Sequence, residues 1–252
     1  ATAPDPELLA KVAFHAGGAK GRLVGALGQP LLFLLAFGFG FGPVFERAGQ
    51  GSYLQFIAPG VISMGVIFSA MFSGIELIWD RQFGFLKETL VAPVPRWQIM
   101  FGRTCGGASV ALLQAVLVGL ASVAVGFRVA SGSHLLLALL FAALVALLFT
   151  ALGTAIASVV QDFHAFPLVM NFLVMPLTFL AGVFYSVQSL PPFWQAASHL
   201  NPFFYAIDGF RYAFFGQADV SPWTSLAIAS ATFCALSWLT LRLLRGGYKL
   251  RQ

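Results

Sequence analysis

The chain has 252 residues, of which 59% are apolar and 9% charged, against about 25% charged in an ordinary soluble domain. Its 27 Phe exclude disorder, and its 26 Gly follow no Gly-X-Y period, which excludes collagen. The class that remains is an all-α polytopic membrane protein, and a net charge of +5 then has to be judged by where the cations fall.

Residues 1–22 read ATAPDPELLAKVAFHAGGAKGR and hold no apolar core ahead of a cleavage site, so a secretory signal is not expected. Leu8, Leu9, Val12 and Phe14 make the segment weakly amphipathic and suited to lie along a membrane surface. Six stretches then approach the roughly 20 apolar residues a bilayer crossing needs. They are Leu23–Val44, Phe56–Trp79, Gly106–Phe127, Leu135–Val160, Ala165–Tyr185 and Trp223–Leu241. Gln29-Pro30 interrupts the first. None alternates polar and apolar residues as a barrel strand does, so all six are expected to be helical.

In the first stretch Phe33, Phe37, Phe41 and Phe45 recur every fourth residue beside Gly38 and Gly42. Four-residue spacing stacks them on one helix face, and the glycine pair allows a close helix contact. The stripe is expected to be lipid-facing bulk; the alternative is the lining of a groove for an amphipathic substrate.

Two connections exceed simple turns. Asp80–Arg103 reads DRQFGFLKETLVAPVPRWQIMFGR. Phe83, Leu86 and Leu90 recur at three- and four-residue spacing among Arg81, Lys87 and Glu88, which predicts a short amphipathic helix. Pro93 and Pro95 end it. It either rests on lipid or docks a cytoplasmic partner. Ser186–Ser221 holds two apolar pieces, Phe193–Leu200 and Phe203–Phe215, each too short to cross. Pro191-Pro192 and Asn201-Pro202 separate them, which predicts a re-entrant or interfacial helical hairpin. No repeat or linker divides the chain, so residues 1–252 are read as one domain.

Lys and Arg set the orientation. Eleven of them fall in residues 1–22, 80–103 and 242–251, and three (Arg47, Arg128, Arg211) fall on the other side. Both termini and the 80–103 connection are therefore expected in the cytoplasm, with 186–221 outside. The cations bracket apolar stretches and form no interleaved basic patch, so nucleic acid is not an expected partner.

The chemistry is sparse. No lysine follows a glycine, which excludes a phosphate-binding P-loop in this sequence. His15, His134, His164 and His199 lie in four separate connections, and two cysteines cannot make a zinc quartet. No catalytic, cofactor or metal site is expected. Among the acids, Glu76 lies inside a stretch, one turn from Asp80. A carboxylate reaching the interface or a basic loop is expected there, over a proton relay. Asp208 and Arg211 stand three apart in YAIDGFRYAFF, a spacing that lets them pair on a helix. The pair would anchor the hairpin; alternatively Arg211 attracts an anionic headgroup as substrate leaves.

FLKETLVAPVPRWQI from Phe85, GVFYSVQSLPPFW from Gly182 and HLNPFFYAIDGFRYAFFG from His199 resemble the membrane permease subunit of type 2 ATP-binding cassette exporters. With the six stretches, the resemblance covers nearly the whole chain and is nearest the small bacterial inner-membrane permeases. It implies a homodimer in membrane lipid that recruits separate ATPase subunits, which hold the ATP and Mg2+. It implies that 1–22 is an interface helix and that Phe83, Leu86, Lys87, Glu88, Leu90 and Pro93 form the coupling helix seated in the ATPase. Substrate would be an amphipathic or lipid-linked molecule, a glycolipid, polysaccharide or drug, with Phe33, Phe37, Phe41, Asp208 and Arg211 along the path. A drug-type rather than glycan exporter, an ion-coupled secondary transporter and a lipid-directed membrane enzyme are the alternatives.

Overall fold

The computed structural model describes residues 28–44, 53–83, 95–127, 132–160, 162–216 and 218–245. Among these the chain is helical throughout, without strands. The helices are α1 (Gly28–Val44), α2 (Tyr53–Gln82), α3 (Arg96–Ala124), α4 (Gly132–Val159), α5 (Ala165–Leu180), α6 (Pro192–Leu200), α7 (Pro202–Phe215) and α8 (Pro222–Arg245).

Four of them, α2, α3, α4 and α8, are long and apolar enough to cross a bilayer. The described part of α1 and the whole of α5 are shorter apolar helices, so among the described residues four of the six expected stretches reach spanning length, and residues 23–27 of the first lie outside them. For α5 the reason is local. Gly182, at φ +79°, takes the left-handed conformation that stops a helix, three residues before the expected end at Tyr185. Within α5, Pro176 has no N–H to offer the carbonyl four residues back, and the preceding turn, Met170–Val174, widens to a π-helix.

The connection expected over 80–103 is also shorter at both ends. Helix α2 continues through Gln82 and α3 already begins at Arg96, so Asp80 and Arg103 are helical residues. They form an ion pair between the two helices. Neither Arg81 nor Phe83 belongs to a separate amphipathic helix. Arg81 donates to the carbonyls of Ala157, Ser158 and Val160 at 3.3, 3.4 and 3.3 Å, placing a cation on the otherwise unpaired last turn of α4. The Phe83 N–H closes the last turn of α2 on Trp79 at 2.9 Å, and its exposed ring packs beside the Trp79 indole.

The core lies between α2 and α4. Ile57, Val61, Ile67 and Met71 of α2 are buried against Phe141, Val145 and Phe149 of α4 and its neighbours. The backbones touch where both helices carry glycine: a Cβ on Gly74 would lie 2.4 Å from the Gly153 carbonyl oxygen. Small residues of this kind let membrane helices approach without a side chain between them. Around this core α3 and α8 keep broad exposed apolar faces, including Leu113, Leu120, Trp223 and Trp238. In water such faces would be costly; in hydrocarbon they are solvated.

Candidate translocation site

The two short helices expected over 186–221 form, and they break where the prolines require. Pro192 and Pro202 each occupy a first helical position, where a missing N–H costs nothing. Asn201 stands between them. Its Oδ1 accepts the Phe203 N–H at 3.1 Å as the N-cap of α7, and its Nδ2 donates to Leu177 O at 2.6 Å. Ser198 donates to Leu180 O at 2.9 Å. Two polar side chains of the hairpin thus bond the last turn of α5, where the Leu177 carbonyl also accepts the Ala181 N–H at 3.0 Å. The hairpin is fastened to α5. On its other face α7 lies against α4, where the Phe141 ring occupies the space a Cβ on Gly209 would need.

Asp208 and Arg211 are both buried, 2% and 8% exposed, yet they do not form an ion pair. The Asp208 carboxylate accepts the N–H groups of Asp219 and Val220, at 2.9 and 3.1 Å, and so holds the turn that leads into α8. The Arg211 guanidinium donates to the Gly182 carbonyl and stands 4.8 Å above the Phe56 ring. The expected pairing is therefore corrected: each charge bridges α7 to a different segment. A three-residue spacing permits a contact without requiring it, and backbone groups were nearer competitors.

Phe33, Phe37 and Phe41 of the α1 stripe pack on protein, contrary to the lipid-facing reading, and Phe45 lies outside the described residues. Phe33, Phe37 and Phe41 stack in sequence at 5.5 and 5.7 Å. Phe37 meets Phe184 at 5.6 Å, Phe33 meets it at 6.3 Å, and Phe41 meets Tyr53 at 5.9 Å while staying 51% exposed. Of the two glycines, Gly38 is the contact, since a Cβ there would lie 2.6 Å from Leu54 Cδ1. Gly42 faces open space.

Between α1, α2 and α3 lies a cavity of about 450 Å³. Phe33, Met64, Phe68, Phe72 and Val110 supply its apolar wall, and Gln29, Ser69, Ser73, Glu76 and Gln114 supply polar groups. The side-chain-free strip Gly106-Gly107 opens the α3 wall. Glu76 is exposed in it and makes no ion pair among the described residues. The sequence marked Phe33 and singled out Glu76 but missed the rest. Gln29, Gln114 and the serines are a detectable signal, being polar residues within apolar stretches; their convergence needed the helix packing. Of the docking residues, Phe83 is described, and Leu86, Lys87, Glu88, Leu90 and Pro93 lie outside the described residues, as does the 1–22 segment. No group of three or more metal-ligating side chains occurs among the described residues.

A bundle with apolar outer faces and an amphipathic cavity between its helices is built as a membrane-embedded transport protein. The chain belongs to the ABC-2 type transporter family, whose profile matches residues 18–215. It is 37% identical to the inner membrane transport permease YadH of Escherichia coli K12, over 87% of this chain and 86% of that protein. It is 32% identical to ycf38 of Porphyra purpurea, over 76% and 67% of the two chains. Nodulation protein J of Rhizobium leguminosarum bv. trifolii is 27% identical, over 80% and 77%. The resemblance read from the 85, 182 and 199 segments is thus confirmed at the level of family, and the chain is a membrane-spanning transport permease.

Proposed function

We propose that the protein is the membrane subunit of an ATP-driven exporter that moves an amphipathic or lipid-linked molecule out of the cytoplasm. Two copies of the chain work with a separate cytoplasmic ATPase, which binds ATP and Mg2+. The observation that carries this reading is that α2 and α3 do two things at once. They wall the amphipathic cavity, and they are the helices between which the 84–94 connection runs. A partner pulling on that connection would move both walls, which is what coupling by a rigid short element requires. Leu86 and Leu90 are the proposed anchors in the ATPase, with Phe83 beside them, Lys87 and Glu88 at a polar rim and Pro93 as the stop.

Leu86→Ala with Leu90→Ala should leave the permease inserted and dimeric but release the ATPase or uncouple hydrolysis from export, since a buried anchor is worth about 2 kcal/mol or more. Pull-down and transport on the same double variant decide it; wild-type levels of both would make the segment a surface helix. The topology that accompanies this reading has six spans, counting α1 and α5, with both termini inside and the α6–α7 hairpin re-entering from outside. After replacement of Cys105 and Cys234, an external thiol reagent should label cysteine at Gln188 or Asp219 and miss it at Glu88 or Arg251. A second reading rests on Glu76, whose exposure in the cavity suits an ion-coupled transporter. Transport driven by a proton gradient in ATP-free vesicles would favour it.

A further inference from the structure

Among the described residues, the charges near the cavity are not balanced. Glu76 projects from the same face of α2 as Ser69 and Ser73 and is, among the described residues, the one ionisable side chain that lines the cavity. The two cations on α2 and α3 whose side chains are described, Arg81 and Arg103, are engaged elsewhere. Arg103 pairs with Asp80, and Arg81 is turned onto the last carbonyls of α4. The remaining polar lining, Gln29, Ser69, Ser73 and Gln114, is neutral. Three aromatic rings, Phe33, Phe68 and Phe72, share the space with the carboxylate.

A carboxylate among aromatic faces favours one kind of guest. Ring faces attract a cation through their quadrupole, and a carboxylate attracts it by direct Coulomb force. An anionic headgroup would meet repulsion from Glu76 with no described cation to offset it. We infer that this cavity is a substrate site selective for a lipophilic cation, an apolar body bearing an amine or a quaternary centre, and that Glu76 is the residue that reads its charge. The inference rests on the transport reading above and narrows it to one chemical class.

Gly106 offers a second, independent handle. A Cβ there meets nothing within 4 Å, so a larger side chain would enter the cavity without disturbing the bundle. Gly106→Leu should occlude the site while leaving Glu76 in place.

The test uses the full-length permease in lipid nanodiscs, without ATPase or ATP, and two probes of the same shape and opposite charge, tetraphenylphosphonium and tetraphenylborate. Each variant is compared with wild type for the same ion, so the unequal partition of the two ions into lipid cancels. Glu76→Gln should weaken tetraphenylphosphonium binding about tenfold and leave tetraphenylborate binding unchanged or stronger. Glu76→Asp should retain most of the cation binding. Gly106→Leu should reduce it. Unchanged cation binding in Glu76→Gln, or an equal loss of both ions, overturns the assignment. If Glu76→Gln does not yield folded protein, Gly106→Leu decides: lost cation binding supports the site, and retained binding overturns it. Binding without ATPase-driven efflux would sink the exporter reading and leave the site standing. Efflux with no charge preference would sink only the site.

Discussion

Asp80 of α2 and Arg103 of α3 form an ion pair that joins the two helices at the ends from which the 84–94 connection runs. Both side chains are partly exposed, 26% for Arg103 and 30% for Asp80, so the pair contributes about 1 kcal/mol at most to stability. Its position matters more than its strength. Arg103→Gln should shift the melting temperature little but lower the export obtained per ATP hydrolysed, because α2 and α3 could then splay. Reversing both charges, Asp80→Arg with Arg103→Asp, should recover coupling; failure to recover would show that Arg103 acts on something other than Asp80.

Arg211 and Asp208 should not rescue one another. Arg211→Ala leaves the buried Gly182 carbonyl without its donor and removes the cation from the Phe56 ring. Together these should cost about 2–4 kcal/mol. Arg211→Lys should recover part of it. The reversed double variant, Asp208→Arg with Arg211→Asp, should be at least as unstable as either single variant in a thermal melt. Restored stability would mean that the two charges do pair.

Asn201 carries two separable bonds. Asn201→Asp keeps the oxygen that caps α7 and loses the Nδ2 donor to Leu177, whereas Asn201→Ala loses both. The alanine variant should cost about 1–2 kcal/mol through the lost cap and the lost side-chain bond to the Leu177 carbonyl, which keeps the Ala181 N–H, and the aspartate variant less. Protease accessibility of the 186–221 region, compared across the two variants, reports whether the hairpin detaches from α5. Equal behaviour of both would leave the cap irrelevant.

The glycines of the bundle should separate sharply. Gly74→Ala drives a methyl into the Gly153 carbonyl and should cost more than about 2 kcal/mol, an overpacking penalty against backbone that cannot turn aside. Gly38→Ala meets the end of the flexible Leu54 side chain and should cost less. Gly42→Ala, facing open space, should be neutral or slightly stabilising, as alanine is the better helix former. Melting of the three purified variants in one detergent gives the order.

Helical class, family resemblance and hairpin breaks were all legible before any coordinates. Each is set by covalent or compositional chemistry acting over a few residues. Pro192 and Pro202 can stand in a helix comfortably at its first turn, so the two short helices begin where those prolines lie. Long apolar runs cannot be solvated by water whatever they pack against. The partners of charged groups were decided in three dimensions. Asp208, Arg211 and Arg81 all found backbone groups distant in sequence, 11 to 79 residues away, which no local spacing announces. The same holds for the ends of α2 and α3. Asp80 and Arg103 read as loop because charge lowers hydropathy, but pairing across the helices lets both remain helical. The cavity is the extreme case. Gln29, Glu76 and Gln114 lie on three helices, and only the close packing of α1, α2 and α3 turns three isolated polar residues into one site.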